Sequence, residues 1–304
     1  MRMTRLRRAR KWLVGVAVVA GAAMLVAGCG THGVSITAAP SPVPCSEAGA
    51  DTSSAQLRSE LGSYWRYRAF LMAQLMSRGV SAASDALVTN SAEIALVFRP
   101  GFGDTQANIA DSQLAKNSDL MAAYFKELSG GAHPSSLESQ AGEKLTGARQ
   151  SLEAGIAEFS DFLWLLTSAP RMVLRSLLTE QVRLVAEGQA ERAIGLGTEI
   201  GDLLALAFHR SVPEKYPASP ETPAATARSR REAGLDGAIY IAFSAGTGDS
   251  LPAGLSAGAY DAAVTAIQAK NAGNFELAYS LLGIAIARVR SEPPPANPCD
   301  EGTH

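Results

Sequence analysis

Histidine is scarce in this chain. There are four in 304 residues, His32, His133, His209 and His304, and the shortage bears directly on function. A carboxylate-bridged di-iron site in a helical bundle needs glutamates together with two inward-facing Glu-x-x-His pairs. Here His32 and His304 sit in tails and His133 in a turn, so the residues for such a centre are not at hand. Aromatic residues make up only 6% of the chain and cysteines number three, too few for a disulfide-dense scaffold. Strand-like alternation is equally scarce, with Ala238–Phe243 the one ambiguous run. A basic excess is missing too, since 27 basic residues face 29 acidic ones. That balance argues against a nucleic-acid or anionic-lipid footprint, both of which need a basic face.

What the chain does have begins at its N-terminus. Residues 1–11 carry Arg2, Arg5, Arg7, Arg8, Arg10 and Lys11 and no acid, and an apolar run from Leu13 to Ala27 follows. A run of about 15 residues is short of the roughly 20 that a transmembrane helix needs. A basic n-region, a short apolar core and small residues before the junction make a secretory signal. Val26-Ala27-Gly28-Cys29 resembles the bacterial lipobox, in which the cysteine thiol is diacylated and becomes the first mature residue. The resemblance implies a lipid-anchored, exported protein whose folded part lies outside the cytoplasm, with Cys29 as the anchor and the cell membrane as a partner. Each buried acyl methylene contributes about 0.8 kcal/mol, and two chains hold where one is reversible.

Cleavage before Cys29 would remove six basic residues and leave 21 against 29 acidic, a net charge of about −8. It would also leave two cysteines, Cys45 ahead of the first helical pattern and Cys299 behind the last. In an oxidising compartment the expectation is a Cys45–Cys299 disulfide. Closing a loop of that length stabilises by something on the order of 5 kcal/mol in the chain-entropy account.

Residues 29–50, with Pro40, Pro42 and Pro44 among small polar residues, read as an extended tether. Apolar residues then recur at helical spacing: Leu57, Leu61, Tyr64, Trp65, Leu71, Met72, Leu75 and Met76 define a first helix. A second is expected near Ser84–Phe98, then a tight connector at Arg99-Pro100-Gly101-Phe102-Gly103, and a third from Asp104 to Gly130. Further helical patterns run from beyond Pro134 to Ser168, over Met172–Glu187, and on to His209. Pro213, Pro217, Pro220 and Pro223 mark a linker, beyond which patterns near 224–245, 256–272 and 274–290 follow. The expected fold is all-α, an antiparallel multi-helix bundle with short connectors. Its divisions are a signal at 1–28, a tether at 29–50, a bundle at 51–210, a linker at 211–224, C-terminal helices packing on the bundle at 225–291 and a tail at 292–304.

Residues 57–217 resemble a family of bacterial all-helical bundle proteins. Tyr64-Trp65-Arg66-Tyr67-Arg68, Asn90-Ser91-Ala92-Glu93-Ile94, Pro100-Gly101-Phe102-Gly103 and Lys215-Tyr216-Pro217 carry the likeness by their order and spacing. In that family histidines recur on the helices, which implies a metal or polar site. The nearest positions here hold Asn117, Gln181 and Ile200, so this chain departs from the pattern where a site would be.

Three motifs remain. Gly248-Asp249-Ser250-Leu251 spells the GDSL hydrolase signature, but a serine nucleophile needs a base, and the one histidine after Ser250 is the terminal His304. Gly195-Leu196-Gly197-Thr198-Glu199-Ile200-Gly201 has the wrong spacing and a helical context for a dinucleotide loop; close helix–helix packing through small residues is the better reading. Asn90 and Glu93 lie one helical turn apart, with Arg66, Arg68 and Arg99 as candidate neighbours. Those five form either a buried polar network that sets helix register or a small polar pocket. No catalytic, cofactor or metal residue is assigned. The expected function is a non-enzymatic interaction or accessory module at the cell envelope, with an envelope protein as partner. The alternative is a small-molecule or lipid-binding protein with a pocket between its helices. No nucleic-acid partner is expected.

Overall fold

A central helix holds this fold together. The computed structural model describes residues 53–79, 81–130, 138–217 and 219–291, and every regular element among them is an α-helix. In chain order these are α1 Ser53–Arg78, α2 Ser81–Gly130, α3 Glu138–Thr167, α4 Arg171–Ala186, α5 Ala190–Ser211, α6 Pro223–Ala245, α7 Ala257–Asn271 and α8 Phe275–Ser291. The predicted signal, the 29–50 tether and the 292–304 tail lie outside the described residues, as do Cys29, Cys45 and Cys299.

The apolar stripe read along α1 is wider than one face. Every residue from Trp65 to Met72 is buried, including Arg66 and Arg68. The cause is position: α1 packs against α2, α4, α5, α6 and α8, so it presents no solvent face along its middle. A helix enclosed on all sides is ordinarily apolar all round; this one brings two guanidinium groups inside with it. Its closest neighbour is α5, running antiparallel. A Cβ on Gly201 would lie 2.4 Å from Gly62 Cα, and one on Gly197 would lie 2.6 Å from the Arg66 backbone nitrogen. The glycine pattern at 195–201 therefore serves backbone approach, as its helical context suggested. Gly195 takes no part, with nothing within 4 Å of its missing Cβ.

The expected connector at 99–103 shrinks to one residue. Helical structure continues through Pro100, and only Gly103, at φ 80° and ψ 171°, leaves it. Pro100 needs no amide hydrogen where the helix is about to break, and glycine accepts the positive φ that other residues resist. The break sits over an aromatic cluster in which Phe208 meets Phe98 at 4.8 Å and Phe102 at 5.0 Å, both edge-on. Ala238–Phe243, ambiguous in sequence, is helical within α6. Its Tyr240 stacks on Phe70 of α1 at 4.6 Å, and burying that aromatic surface outweighs the run's modest β-propensity. The proline-rich 211–224 stretch packs onto the bundle, with Tyr216 buried and its carbonyl bonded to His209 Nδ1.

The Cys45–Cys299 disulfide must be corrected. No disulfide joins the three cysteines, and the helices nearest those residues in sequence meet without one. On α8, Arg290 donates to the Glu60 carbonyl of α1 at 3.4 Å and lies 4.2 Å over the Tyr64 ring. An oxidising compartment makes a disulfide permissible, but pairing also requires the two Cα atoms within about 7 Å, which compartment alone does not supply.

Candidate functional site: a polar seam through the bundle core

The polar interior follows from helical spacing. Ser59, Ser63 and Arg66 share one face of α1, and Glu232 and Asp236, four residues apart, share one face of α6. The two faces meet. Arg66 Nη2 donates to Asp236 Oδ2 at 2.6 Å and its Nε at 3.1 Å, with side chains 2% and 0% exposed. Ser63 donates to the same oxygen at 3.1 Å, and Arg66 Nη1 reaches Thr198 Oγ1 of α5 at 3.3 Å. One turn away, Glu232 accepts from Ser59 and from Arg228 Nε at 2.8 Å. At the outer end Arg58 grips Asp202 with two bonds of 2.6 and 2.7 Å, and reaches the Pro220 carbonyl and Thr226. This seam joins α1, α5 and α6.

Tyr240 lies at the inner end, its hydroxyl buried without a hydrogen bond. Burial, reinforced by the Asp236 carboxylate, pushes its pKa well above the ordinary phenol value. The Tyr240 phenol therefore stays neutral at physiological pH.

Arg68 faces the other way and meets no carboxylate. It donates to Ser91 Oγ at 3.0 Å, Ser118 Oγ at 3.1 Å and the Leu114 carbonyl at 3.3 Å, all on α2. Ser91 and Ser118 hand their own protons to the carbonyls four residues back, which leaves their oxygens free to accept. Burial alone pulls the Arg68 pKa down to about 10, so it stays charged at neutral pH. Its Nε has no partner, and neither has Trp65 Nε1 nearby; the guanidinium lies 5.8 Å from the Trp65 ring.

The structure therefore separates the five residues grouped from sequence. Arg66 turns to α6 and Arg68 to the serines of α2. Arg99 is exposed and pairs with Asp104 across the Gly103 break at 2.7 Å. Asn90 donates to the Tyr64 carbonyl at 3.3 Å. Glu93 is half-buried, its carboxyl raised by burial and partly offset by Arg290. Asn90, Glu93, Arg66, Arg68 and Arg99 share no hydrogen bond or ion pair with one another. The acidic partners that sequence reasoning missed, Glu232 and Asp236, had a legible signal in their i, i+4 spacing. Nothing local marks them for burial, since they follow Arg228, Arg230 and Arg231 in a charged stretch.

Other expected positions are also placed. Asn117 is buried against α3, where a Cβ on Gly155 would strike its Oδ1 at 2.3 Å. Gln181 donates to the Ala193 carbonyl at 3.1 Å, and Ile200 is in the core. No hydrogen bond links the three. Ser250 is exposed in the turn after α6, a helix where the GDSL reading would need a strand. Among the described residues no group of three or more His, Cys, Asp or Glu side chains is arranged to hold a metal, and no helix is long and apolar enough to cross a membrane.

Fold and interior together define an all-α bundle cross-braced by a buried Arg66–Asp236 ion pair and the polar groups around it. Comparison with protein-family models, with curated proteins and with solved structures finds no match.

Proposed function

We propose that the protein is a lipid-anchored, non-enzymatic interaction or accessory module of the bacterial cell envelope, tethered through Cys29. The observation that carries the structural half of this reading is the polar seam. Its buried charges are matched, Arg66 of α1 to Asp236 of α6 and Arg228 to Glu232 within α6, while Ser59 of α1 bonds Glu232 and Arg66 reaches Thr198 of α5, so their chemistry goes into fixing three helices in register. A rigid body held by one end is what a docking module requires. Support for the anchor comes from the lipobox-like sequence ending at Cys29.

The ligand-binding alternative draws on one observation, a shallow groove of about 180 Å³ between the α3–α4 turn and α5. Pockets for small molecules run to roughly 300–1,000 Å³, so the groove supports it weakly.

Processing tests the anchor. The native chain should enter the detergent phase and carry the mass of a diacylated N-terminal cysteine. Cys29→Ser should leave it unprocessed or in the aqueous phase, and unchanged mass and partitioning in that variant would refute the anchor. Native mass spectrometry of protein from its own host then separates the two functional readings. A co-purifying protein supports the module, and a stoichiometric small molecule supports the alternative.

A further inference from the structure

The bundle has one end at which several chain segments come together. α5 runs antiparallel to α1, and the Arg58–Asp202 pair places the start of α1 beside the C-terminal half of α5. From the last residue of that helix, Ser211 Oγ donates to the Thr167 carbonyl at 2.7 Å. The α3–α4 turn, Ser168-Ala169-Pro170, therefore lies at the end of the bundle where α1 starts.

That turn carries an apolar surface that the fold does not cover. Trp164 and Leu165 at the end of α3 are 46% and 76% exposed, and Met172 and Val173 at the start of α4 are 65% and 50% exposed. Arg171 spans the corner, 5.5 Å from the Trp164 ring and 3.4 Å from Asp161. Between Asp161 and Glu180 the chain holds no acidic residue, and its only charges are Arg171 and Arg175. With the bounding Asp161, which pairs with Arg171, and Glu180, the stretch is charge-balanced rather than acidic.

We propose that the α3–α4 corner is a second membrane contact, seating Trp164, Leu165, Met172 and Val173 in the headgroup region of a phospholipid bilayer. The proposal rests on the anchored reading for its geometry. Tryptophan suits the interface because its ring is apolar and its N–H is polar, and arginines behind such a corner reach the phosphates while their stems stay apolar. The acidic net charge argues against long-range attraction to anionic lipid; it does not oppose insertion of apolar side chains by a local patch. The 24 residues from Cys29 to Ser53 span at most about 80 Å, so the anchor keeps the corner close to the bilayer and a weak contact is made intramolecularly. Such a contact would fix which face of the bundle points away from the membrane.

Tryptophan fluorescence reads this contact separately from anchoring. Trp12 lies in the segment expected to be removed and Trp65 is buried, which leaves Trp164 as the quenchable residue. The mature lipidated chain is reconstituted into phosphatidylcholine vesicles, with and without acyl chains brominated near the headgroup. The expected result is loss of Trp164 emission in brominated vesicles with a blue shift in plain ones. Trp164→Phe should abolish the quenching, and so should Leu165→Asp combined with Met172→Asp, while the chain stays vesicle-bound with unchanged helical circular dichroism. Equal emission in both vesicle types from a vesicle-bound chain overturns the proposal, leaves the anchor intact and assigns the corner to a protein partner. If the chain proves unlipidated, the same vesicles are added to it directly: quenching sustains the membrane contact without the anchor, and its absence refutes it.

Discussion

Replacing Asp236 with alanine removes the counter-charge of Arg66 and leaves the guanidinium where it is. Both side chains are almost wholly buried, so the guanidinium is left away from bulk solvent without its counter-charge. Ser63 and Thr198 remain within reach of the guanidinium's surroundings, but neither carries charge. Breaking a buried pair from one side typically costs about 3–5 kcal/mol. At about 2–4 °C per kcal/mol for a domain of roughly 150–250 residues, the midpoint of thermal unfolding should fall by some 6–20 °C. Arg66→Met combined with Asp236→Leu removes both charges in similar volume and should recover most of the loss, since well-packed apolar replacements of buried pairs are often neutral or better. Circular dichroism melts and urea titrations of Arg66→Met, Asp236→Leu and the double variant, measured beside Asp236→Ala, complete the cycle. A loss below about 1 kcal/mol for Asp236→Ala would mean that the pair behaves as a surface bridge. A double variant as unstable as the single ones would mean that shape, not charge, sets the cost. Either outcome refutes the reasoning.

Three further outcomes follow from the geometry. Gly201→Ala would drive a methyl into the Gly62 backbone, which cannot yield, and should cost at least about 1–3 kcal/mol; Gly195→Ala, in open space on the same helix, should be neutral or slightly stabilising. Lys270 donates to the Phe243 and Ser244 carbonyls at the end of α6, so Lys270→Met should lower stability by about 1.5–3 kcal/mol, the range for hydrogen bonds to a charged group, measured by urea denaturation. Glu93 tests the pH dependence. Its carboxyl is raised above the ordinary 4.5, chiefly by burial, so the folded state holds this proton where the unfolded state has lost it. The stability it contributes is present below the unfolded value and is lost as pH rises through the folded one. Glu93→Gln should therefore be more stable than the native chain at pH 7, with the difference closing below about pH 4.5; a difference that stays constant with pH would refute this.

Local spacing made the helices legible. The apolar recurrence from Leu57 to Met76 needed only nearby residues to be interpreted, and the structure adds local stops of the same kind: Gly188, Gly246 and Gly273 at positive φ and Pro170 ahead of α4. Glycine at a positive φ and proline ahead of a first turn act on their own backbone, so their meaning does not wait for a partner. The 99–103 connector was misjudged in length for a related reason: one glycine suffices for a break, and the flanking Pro100 and Phe102 stay helical because Phe102 gains an aromatic partner on α5.

The charged interior was not legible in the same way. Arg66 and Asp236 are 170 residues apart in sequence, and nothing near either one shows that both will be enclosed. Whether a charge is solvated or buried depends on which helices surround its own, and that was settled when α1 became the centre of the bundle. The exposure of Trp164, Leu165, Met172 and Val173 was decided at the same level, since Leu163 of α3 and Leu174 of α4 are buried while these immediate neighbours are left uncovered. Helix placement, the positions of the breaks and the lipobox-like Cys29 follow from neighbouring residues alone. Burial, charge pairing and the uncovered corner are properties of contacts between distant residues, and only the assembled fold creates them.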